Sequence, residues 1–566
     1  MGTFLFTRRV ELLAFLLILI SIVRIVLTYS NTAQAFDEPC HVSAGIEFLD
    51  KKTYTLDPMH PPVARIAIGL PLYVAGVRYP VMATGDPGSH NYNVVGNKII
   101  YAGGMFGRNL MLARLGVLPF FILGGLIVFM WVSRVAGRTT ALIALFLYTT
   151  TPSILAFSSI AYTDIVAAST QCAALFAFVL WLEAPTRRNT ILLGLCLGVA
   201  FGAKFTSLLF LPAAILGMAM VWLLRRDGRD PSLSRRSASI LIALGLAVVV
   251  LWACYGFSLK PVDEAVGITP STMPSFQHFP ASVRGTLQKL ILADPRLPAP
   301  ELLNGLAEAW VLNRSKSESY LLGQVRLGGW WYFFLDALFV KLPLPLLLAF
   351  VVGLVSLMKF RRAEDLYPLA ALAGVLLVTT RVSYQVGTRH VLLCVLLITV
   401  TAALGLGRLI DREWHRPIAI PLLVLLLSWQ VIESAKAQSN FIAYFNELAG
   451  RDPSKILVTG CDLDCGQDMY ALSRELRSRG VNRFTLAVWS SADLGSLGLP
   501  SYDVPQRGER PSGWIAVSAR AFRTGAVLHE ALPPHSLDWL ENYKPVAKVG
   551  KTIDLYFIDP RSTTGD

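Results

Sequence analysis

The chain has 566 residues, of which 54% are hydrophobic and only 16% are charged. This composition excludes an ordinary soluble globule and predicts a polytopic α-helical membrane protein. The net charge of +13 does not indicate a nucleic-acid partner, because the arginines cluster in short gaps between apolar runs, as is typical of the cytoplasmic ends of membrane helices.

The first apolar span, at about residues 10–29, is preceded by Arg8 and Arg9 and lacks a small-residue cleavage site. It is predicted to be an uncleaved anchor with a cytoplasmic N-terminus. Alternating apolar runs and basic gaps predict a total of about 11 transmembrane helices. The predicted parts are a transmembrane domain at 1–435, with outer loops at 30–109 and 258–329, and a small extracytoplasmic domain at 436–566.

Along this predicted path, every basic gap falls on one side of the membrane. The basic residues in these gaps are Arg134, Arg138, Arg187, Arg188, Arg225, Arg226, Arg229, Arg235, Arg236, Lys359, Arg361, Arg362, Arg408, Arg412 and Arg416. A second set of ionisable residues falls on the opposite, outer side and is not needed for topology. These residues are Asp37, Glu38, His41, Asp164, Lys204, Arg389 and His390.

The stretch at 36–62 is the predicted reaction centre. Asp37 and Glu38 are adjacent carboxylates beside His41, and His60 follows in a second polar cluster. Carboxylates near the membrane are costly and seldom lack a partner or a task. The apolar spacing predicts an amphipathic helix at about 39–50, lying flat on the membrane with Asp37 as its N-terminal cap, and a second helix beginning at Pro62.

The carboxylates and the cations predicted on the outer side can be interpreted as structural or as catalytic residues. The carboxylates could cap a helix, or one of them could act as a general base toward a hydroxyl nucleophile. Asp164 could cap the fourth span or orient an acceptor, and Lys204 could reach the membrane surface by extending its side chain. Arg389 could grip a phosphate, since several cations near a carboxylate pair are what a phosphate leaving group needs.

A divalent metal is an open alternative, because carboxylate and imidazole are acceptable ligands. The ligands would be Asp37, Glu38, His41 and His60, whose spacing matches no closed structural site. No metal site is therefore assigned, and no cofactor is required by the sequence.

Residues after about 440 are more polar and contain strand-sized runs, namely KILVTG, FTLAVW, GWIAVSA and TIDLYFI. A helical stretch, DMYALSRELRSRG, lies between the first two, so the order predicts a small α/β domain outside the membrane. Cys461 and Cys465 lie at its first turn, where the spacing alone decides neither for nor against a disulfide.

The chain resembles the GT-C membrane glycosyltransferases, in particular the protein O-mannosyltransferase and aminoarabinose transferase type of glycosyltransferase family 39. The resemblance is carried by the Asp37-Glu38 pair, by His60-Pro61-Pro62, by Asp164, by Lys204 in GAKFTS, and by GTRHVLL at 387–393, with YFNELAG and CDLDCGQDMYALSRELRSRG farther on. It implies a GT-C fold and inverting transfer of a sugar from a polyprenyl-phosphate donor to an acceptor hydroxyl at the extracytoplasmic face of the plasma (bacterial inner) membrane.

The resemblance also implies residue roles. Asp37 would be the catalytic base, with Glu38 and Asp164 as further catalytic residues. The donor phosphate would meet Lys204, Arg389 and His390, and substrate would contact His41 and His60. Membrane lipids are expected partners, and the acceptor is left open among lipid, glycan and protein. A transporter or lipid flippase of the cell envelope and a non-catalytic envelope scaffold are the competing hypotheses.

Overall fold

The computed structural model describes most of the chain. The described ranges are 2–82, 87–225, 233–261, 295–360, 362–411, 415–438, 440–528 and 530–559, together with Gly285, Lys289 and Ala293. Several predictions fall outside these residues. They concern residues 262–294 of the second outer loop, apart from the three positions just named, and the basic residues Arg226, Arg229, Arg361 and Arg412.

Helices dominate the first 436 residues. They are α1 (Gly2–Val26), α2 (Glu38–Ile46), α3 (Pro62–Val74), α4 (Tyr92–Ile100), α5 (Phe106–Leu115), α6 (Leu118–Thr150), α7 (Pro152–Ser158), α8 (Asp164–Glu183), α9 (Arg187–Ala203), α10 (Ser207–Arg225), α11 (Leu233–Cys254), α12 (Pro300–Arg314), α13 (Phe333–Lys341), α14 (Leu344–Phe360), α15 (Ala363–Thr379), α16 (Leu392–Ile410) and α17 (Arg416–Lys436). Within the described residues, six helical segments are long and apolar enough to cross a membrane, or seven if the bent pair α13 and α14 is one span. The polytopic helical class is confirmed, and the total of about 11 stays a prediction.

Helix α6 reverses direction at Gly137, whose φ of 84° and ψ of 169° are not helical. The Tyr148 hydroxyl donates a hydrogen bond to the Phe121 carbonyl oxygen at 2.7 Å, and the two rings stack. A straight helix rises about 1.5 Å per residue and would hold these residues roughly 40 Å apart. Its two halves therefore form a hairpin of two consecutive helical segments.

Ion pairs join the helix ends that are predicted to be cytoplasmic. These ends come from helices far apart in sequence, yet their charged side chains meet, as a common surface requires. The pairs are Arg134–Glu183, Arg138–Glu11 and Arg408–Asp365. The predicted assignment of these helix ends to one side of the membrane is thus consistent with the packing.

Helix α2 corresponds to the predicted helix at 39–50, but all nine of its residues are buried. The prediction of a helix lying flat on a membrane surface is therefore wrong. The neighbouring helices cover it at two glycine contacts: Gly45 lies against the Arg65 carbonyl of α3, and Gly96 of α4 lies against the Pro39 carbonyl. A side chain at either glycine would collide with backbone, so the three helices pack closely only because of these residues.

The C-terminal part combines a sheet with two helices. Its helices are α18 (Met469–Ser478) and α19 (Ala519–Thr524), and its strands are β5 (Arg483–Ala487), β6 (Ser501–Asp503), β7 (Gly513–Ser518), β8 (Ala526–Val527), β9 (Glu530–Ala531), β10 (Ala547–Val549) and β11 (Ile553–Ile558). The five-stranded sheet has the order β10-β11-β7-β5-β6. Strand β5 pairs in parallel with β6 and β7, and the other pairs are antiparallel. Earlier in the chain, β1 (Leu259–Pro261) pairs with β2 (Arg296–Pro298), and β3 (Glu318–Leu321) with β4 (Gln324–Leu327).

Both faces of this sheet are buried. Leu486 and Ala516 face one core together with α18, whereas Ile515 and Val517 face a second core with α19. This alternation is the period of two expected for strands. Three of the four predicted strands are found, but KILVTG at 455–460 is not one. The position of this part outside the membrane stays a prediction.

The KILVTG segment forms hydrogen bonds with the β3–β4 hairpin and does not join the sheet. The Ile456 carbonyl accepts the Leu322 amide hydrogen, and the Thr459 hydroxyl bridges both backbone groups of Tyr320. Gly460 then adopts a positive φ of 65° against the Val386 carbonyl. These tertiary contacts override the local preference for an extended strand.

Candidate active site

Asp37 precedes α2, and its carboxylate turns away from the helix. It stands at the N-terminal cap position but makes no capping hydrogen bond, so the predicted capping role of this side chain is wrong. Instead its Oδ2 accepts a hydrogen bond from an Arg389 guanidinium nitrogen at 2.6 Å, a charge-assisted pair that is stronger than a neutral cap. Oδ1 has no hydrogen-bond partner among the described residues, and the Asp37 side chain is 25% exposed. One oxygen is therefore available to an incoming group.

A second ion pair lies beside the first. Asp164 begins α8, and Lys204 lies between α9 and α10, where its ammonium group binds the Asp164 carboxylate. Both side chains are buried, so Lys204 does not extend to a surface as one interpretation had it. Asp164, Lys204, Arg389 and His390 line one small cavity. Residues from four separate segments, all of them predicted to lie on the outer side, thus lie close together.

The three histidines surround these pairs. The His41 and His60 rings lie 5.5 Å apart, and Arg65 donates to the His41 Nδ1 at 3.4 Å, which leaves the proton of the neutral ring on Nε2. Burial is the main cause that lowers the pKa of both imidazoles well below the usual value, and the Arg65 charge adds to it. These two rings are neutral hydrogen-bonding groups at pH 7. His390 packs against the Tyr384 ring.

Glu38 has different surroundings from its neighbour. Its carboxylate is fully buried and forms a bidentate pair with Arg114 at 2.7 and 2.9 Å. It also accepts the amide hydrogens of Ala35 at 2.8 Å and Ala161 at 2.9 Å. These four bonds use both oxygens and tie the loop before α2 to the loop before α8.

Tyr162 is a site residue that the sequence did not single out. Its hydroxyl accepts the Asp37 amide hydrogen at 2.8 Å, and its ring lies 5.1 Å from the Arg389 guanidinium. The hydroxyl also lies 3.2 Å from the sulfur atoms of Cys461 and Cys465. These cysteines are joined by a disulfide, which has no hydrogen to give, so the tyrosine is the donor. Burial raises the pKa of Tyr162, which keeps it protonated for this task.

The C-terminal part holds the segment just before Asp37. The Phe36 ring stacks on Trp489 with centroids 3.7 Å apart, and the Arg520 guanidinium lies 3.6 Å from the same indole. Two groups this close to one ring must occupy its opposite faces, so the three side chains form a layered stack. The Phe36 amide also donates to the Cys465 carbonyl at 3.0 Å. Pairing across more than 400 residues gives no local sequence signal.

We expect loss of the disulfide to weaken both the fold and the site. The double variant Cys461→Ser/Cys465→Ser should lower the free energy of unfolding by about 2 kcal/mol, the chain-entropy value for so short a loop. It should also lower turnover, because the disulfide no longer fixes the 461–465 loop against Tyr162, whose hydroxyl accepts the Asp37 amide hydrogen. Thermal unfolding in detergent and a transfer assay would measure the two effects. Cys196→Ser, at a free cysteine, is the control, and wild-type values for the double variant would contradict the role of the disulfide.

No group of three or more His, Cys, Asp or Glu side chains that could hold a metal ion occurs in the part of the chain that the structure describes. Of the four residues considered as possible metal ligands, Glu38 is already bound to Arg114 and to two backbone amides.

Residues 101–255 match the model of the family described as dolichyl-phosphate-mannose-protein mannosyltransferase. This region contains Asp164 and Lys204. Along its whole length the chain is similar to the crystal structure of ArnT from Cupriavidus metallidurans bound to undecaprenyl phosphate, with 11% sequence identity, 96% of this chain and 97% of that chain covered, and a TM-score of 0.50. The chain has the GT-C fold that the sequence predicts. The family match over 101–255 agrees with the expected sugar transfer from a lipid-linked donor.

Two further solved structures match this chain. One is the Archaeoglobus fulgidus oligosaccharyltransferase in the apo form, with 12% identity, 95% of this chain and 72% of that chain covered, and a TM-score of 0.48. The other is the Saccharomyces cerevisiae Pmt1-Pmt2 O-mannosyltransferase complex bound to the sugar donor, with 16% identity, 44% and 33% covered, and a TM-score of 0.34. The GT-C chain thus spans one third of the length of the yeast chain it matches. No curated protein sequence matches it significantly.

Proposed function

We propose that this GT-C chain moves a sugar from a polyprenyl-phosphate donor to an acceptor hydroxyl, with inversion and with Asp37 as the general base. The observation that carries the proposal is the Asp37 carboxylate, which Arg389 holds by one oxygen while the other oxygen has no partner among the described residues. A base needs such a free lone pair within reach of the proton it removes.

The proposed step balances as follows. Asp37 Oδ1 takes the proton of the acceptor hydroxyl while the acceptor oxygen forms a bond to the anomeric carbon. The bond from that carbon to the phosphate oxygen breaks, and its electron pair leaves with the phosphate. Attack from the side opposite the leaving phosphate inverts the anomeric configuration.

Lys204, Arg389 and His390 are proposed to meet the donor phosphate. In the free protein, Asp164 and Asp37 neutralise the two cations. A phosphate entering between them would compete for Lys204 and Arg389 and would release the Asp37 carboxylate for its task as base. The leaving phosphate gains negative charge as the sugar departs, and fixed cations stabilise charge that develops in the transition state.

The remaining predicted residues have supporting roles in this proposal. Asp164 orients the Lys204 ammonium, and the neutral rings of His41 and His60 offer hydrogen bonds to substrate hydroxyl groups. Glu38 positions the loop that carries Asp37 through its bonds to Arg114 and Ala161. We assign Glu38 no contact with the reacting atoms.

We further propose that the reaction takes place at the extracytoplasmic face of the plasma (bacterial inner) membrane, with the N-terminus in the cytoplasm. The site residues lie at the helix ends opposite those joined by the Arg134–Glu183 and Arg138–Glu11 pairs. Positively charged ends favour the cytoplasmic side. The C-terminal part, which contacts the site through Trp489, would then lie outside the membrane.

Lys204→Gln is expected to lower kcat by roughly 10²–10³-fold, the cost of removing one group that stabilises developing negative charge. Glutamine is a polar residue with a side chain one bond shorter than that of lysine, and it carries no charge. Initial rates with a polyprenyl-phosphate sugar in nanodiscs would measure the effect. Lys544→Gln, at an exposed lysine, is the matched control. A wild-type kcat for Lys204→Gln would contradict contact between this ammonium group and the phosphate.

The function itself is tested by supplying purified protein in nanodiscs with polyprenyl-phosphate mannose, glucose and aminoarabinose. Mass spectrometry of envelope glycans from a strain that lacks the protein would identify the product. We expect one donor to be consumed and one glycan to lose a sugar. Consumption of none of the donors together with unchanged glycans, or ATP-independent movement of the intact donor across the bilayer, would favour the transporter hypothesis.

A further inference from the structure

A second cavity adjoins the stretch that carries Asp37, and the proposed mechanism does not use it. It has a volume of about 780 Å³ and lies between α4 and the segments that flank β6. Its volume is within the range of small-molecule sites, roughly 300–1,000 Å³. Phe36 lines it, and Asp37 is the next residue. Asp37 itself is not among the residues that line the cavity, so Phe36 forms the contact between the cavity and the candidate active site.

Most of its polar lining consists of neutral groups that both donate and accept hydrogen bonds. One wall carries the amides of Asn91, Asn93 and Asn97, and the other carries Ser490, Ser491 and Asp493. The Asn93 side chain makes no hydrogen bond to any described residue, so its amide is free for a ligand. Adjacent sugar hydroxyls have the same combination of donor and acceptor.

Three aromatic side chains also line the cavity. Phe36, Tyr101 and Tyr502 all face the cavity. Flat apolar rings combined with a few orienting polar groups are typical of sites for molecules that have both kinds of surface, as a pyranose ring does. Phe36 is fixed there by its stack on Trp489 and by the Ser491 hydroxyl, which donates to the Phe36 carbonyl at 2.5 Å.

The charge of the lining favours an uncharged ligand. Among the lining residues that the structure describes, Lys98 and Asp493 are the charged ones, and their charges cancel. A phosphorylated headgroup would be expected at a lining with excess positive charge. We infer that this cavity binds a neutral saccharide, which we assign to the acceptor. The assignment of this saccharide as the acceptor depends on the proposed function, whereas saccharide binding does not.

The test is saturation-transfer NMR of the full-length protein in nanodiscs with maltotriose, mannotriose and chitotriose. We expect at least one trisaccharide to bind, and Asn93→Ala and Tyr502→Ala each to weaken that binding about fivefold or more, the effect of one lost contact. Lys548→Ala, in the separate cavity lined by Lys548, Arg523 and Asp554, is the control and should bind like wild type.

Asp37→Asn separates this inference from the proposed function. Unchanged trisaccharide binding by Asp37→Asn with turnover lost supports both, and unchanged binding with turnover intact contradicts only the proposed base. Absence of binding by all three trisaccharides, or binding that Asn93→Ala and Tyr502→Ala leave unchanged, would overturn the inference. Displacement of a bound trisaccharide by a serine- and threonine-containing peptide would overturn it in favour of a protein acceptor.

Discussion

Asp37→Asn is expected to lower kcat by roughly 10²–10⁴-fold, the usual contribution of a general base. Asparagine has the same shape as aspartate, but its amide cannot take the acceptor proton. The backbone of residue 37 is held independently of this side chain, because its amide hydrogen is bound by Tyr162. We therefore expect the variant to insert and fold, with a thermal midpoint lowered less than that of Glu38→Gln, because the Asp37–Arg389 pair is partly exposed.

The matched control for this experiment is Asp50→Asn, which removes a carboxylate from the same predicted outer loop. Asp50 accepts the Tyr79 amide hydrogen at 2.9 Å and lies 3.8 Å from Arg78. We expect it to keep wild-type kcat. If initial rates with the active donor showed Asp37→Asn turning over like Asp50→Asn, the assignment of the base would be wrong.

Glu38→Gln, one residue away, is expected to act on stability. The change removes the negative charge beside Arg114, whose guanidinium has no solvent exposure, and leaves that cation buried without its partner. Breaking one member of a buried ion pair costs about 3–5 kcal/mol. Because these two residues also tie the loops before α2 and α8 together, turnover should fall along with stability.

Thermal and denaturant unfolding in detergent would measure this effect against Asp37→Asn. The double variant Glu38→Gln/Arg114→Gln should recover part of the loss, since it leaves no buried unpaired charge. The adjacent carboxylates would then differ, because Asp37→Asn would lower mainly the rate and Glu38→Gln would lower both stability and rate. Equal thermal midpoints for Glu38→Gln and wild type would contradict a structural role for this pair.

The sequence predicts much of the arrangement of the site because membrane topology is a long-range constraint. Asp37 and Arg389 are 352 residues apart, yet their assignment to the same side of the membrane already limits where they can meet, and they form an ion pair. Helix α3 likewise begins at Pro62 as predicted, since proline fits the first turn.

The nearby sequence does not determine which side chains pair in the folded chain. The ion-pair partners, the burial of α2 and the position of Tyr162 could therefore not be predicted. Asp37 and Glu38 look equivalent in the sequence, but Glu38 faces Arg114 and Asp37 faces Arg389. The burial of α2 depends on close contacts with two other helices. Tyr162 is one polar residue in a short loop, and only the folded chain places its hydroxyl next to the Asp37 amide.

The most direct test of the central claim is an experimental structure of the protein with a bound polyprenyl phosphate. We predict a phosphate within hydrogen-bonding distance of both Lys204 and Arg389, with the Asp37–Arg389 pair opened and the Asp37 carboxylate directed toward the position of the anomeric carbon. A phosphate bound elsewhere, with the Asp37–Arg389 and Asp164–Lys204 pairs both intact, would contradict the claim.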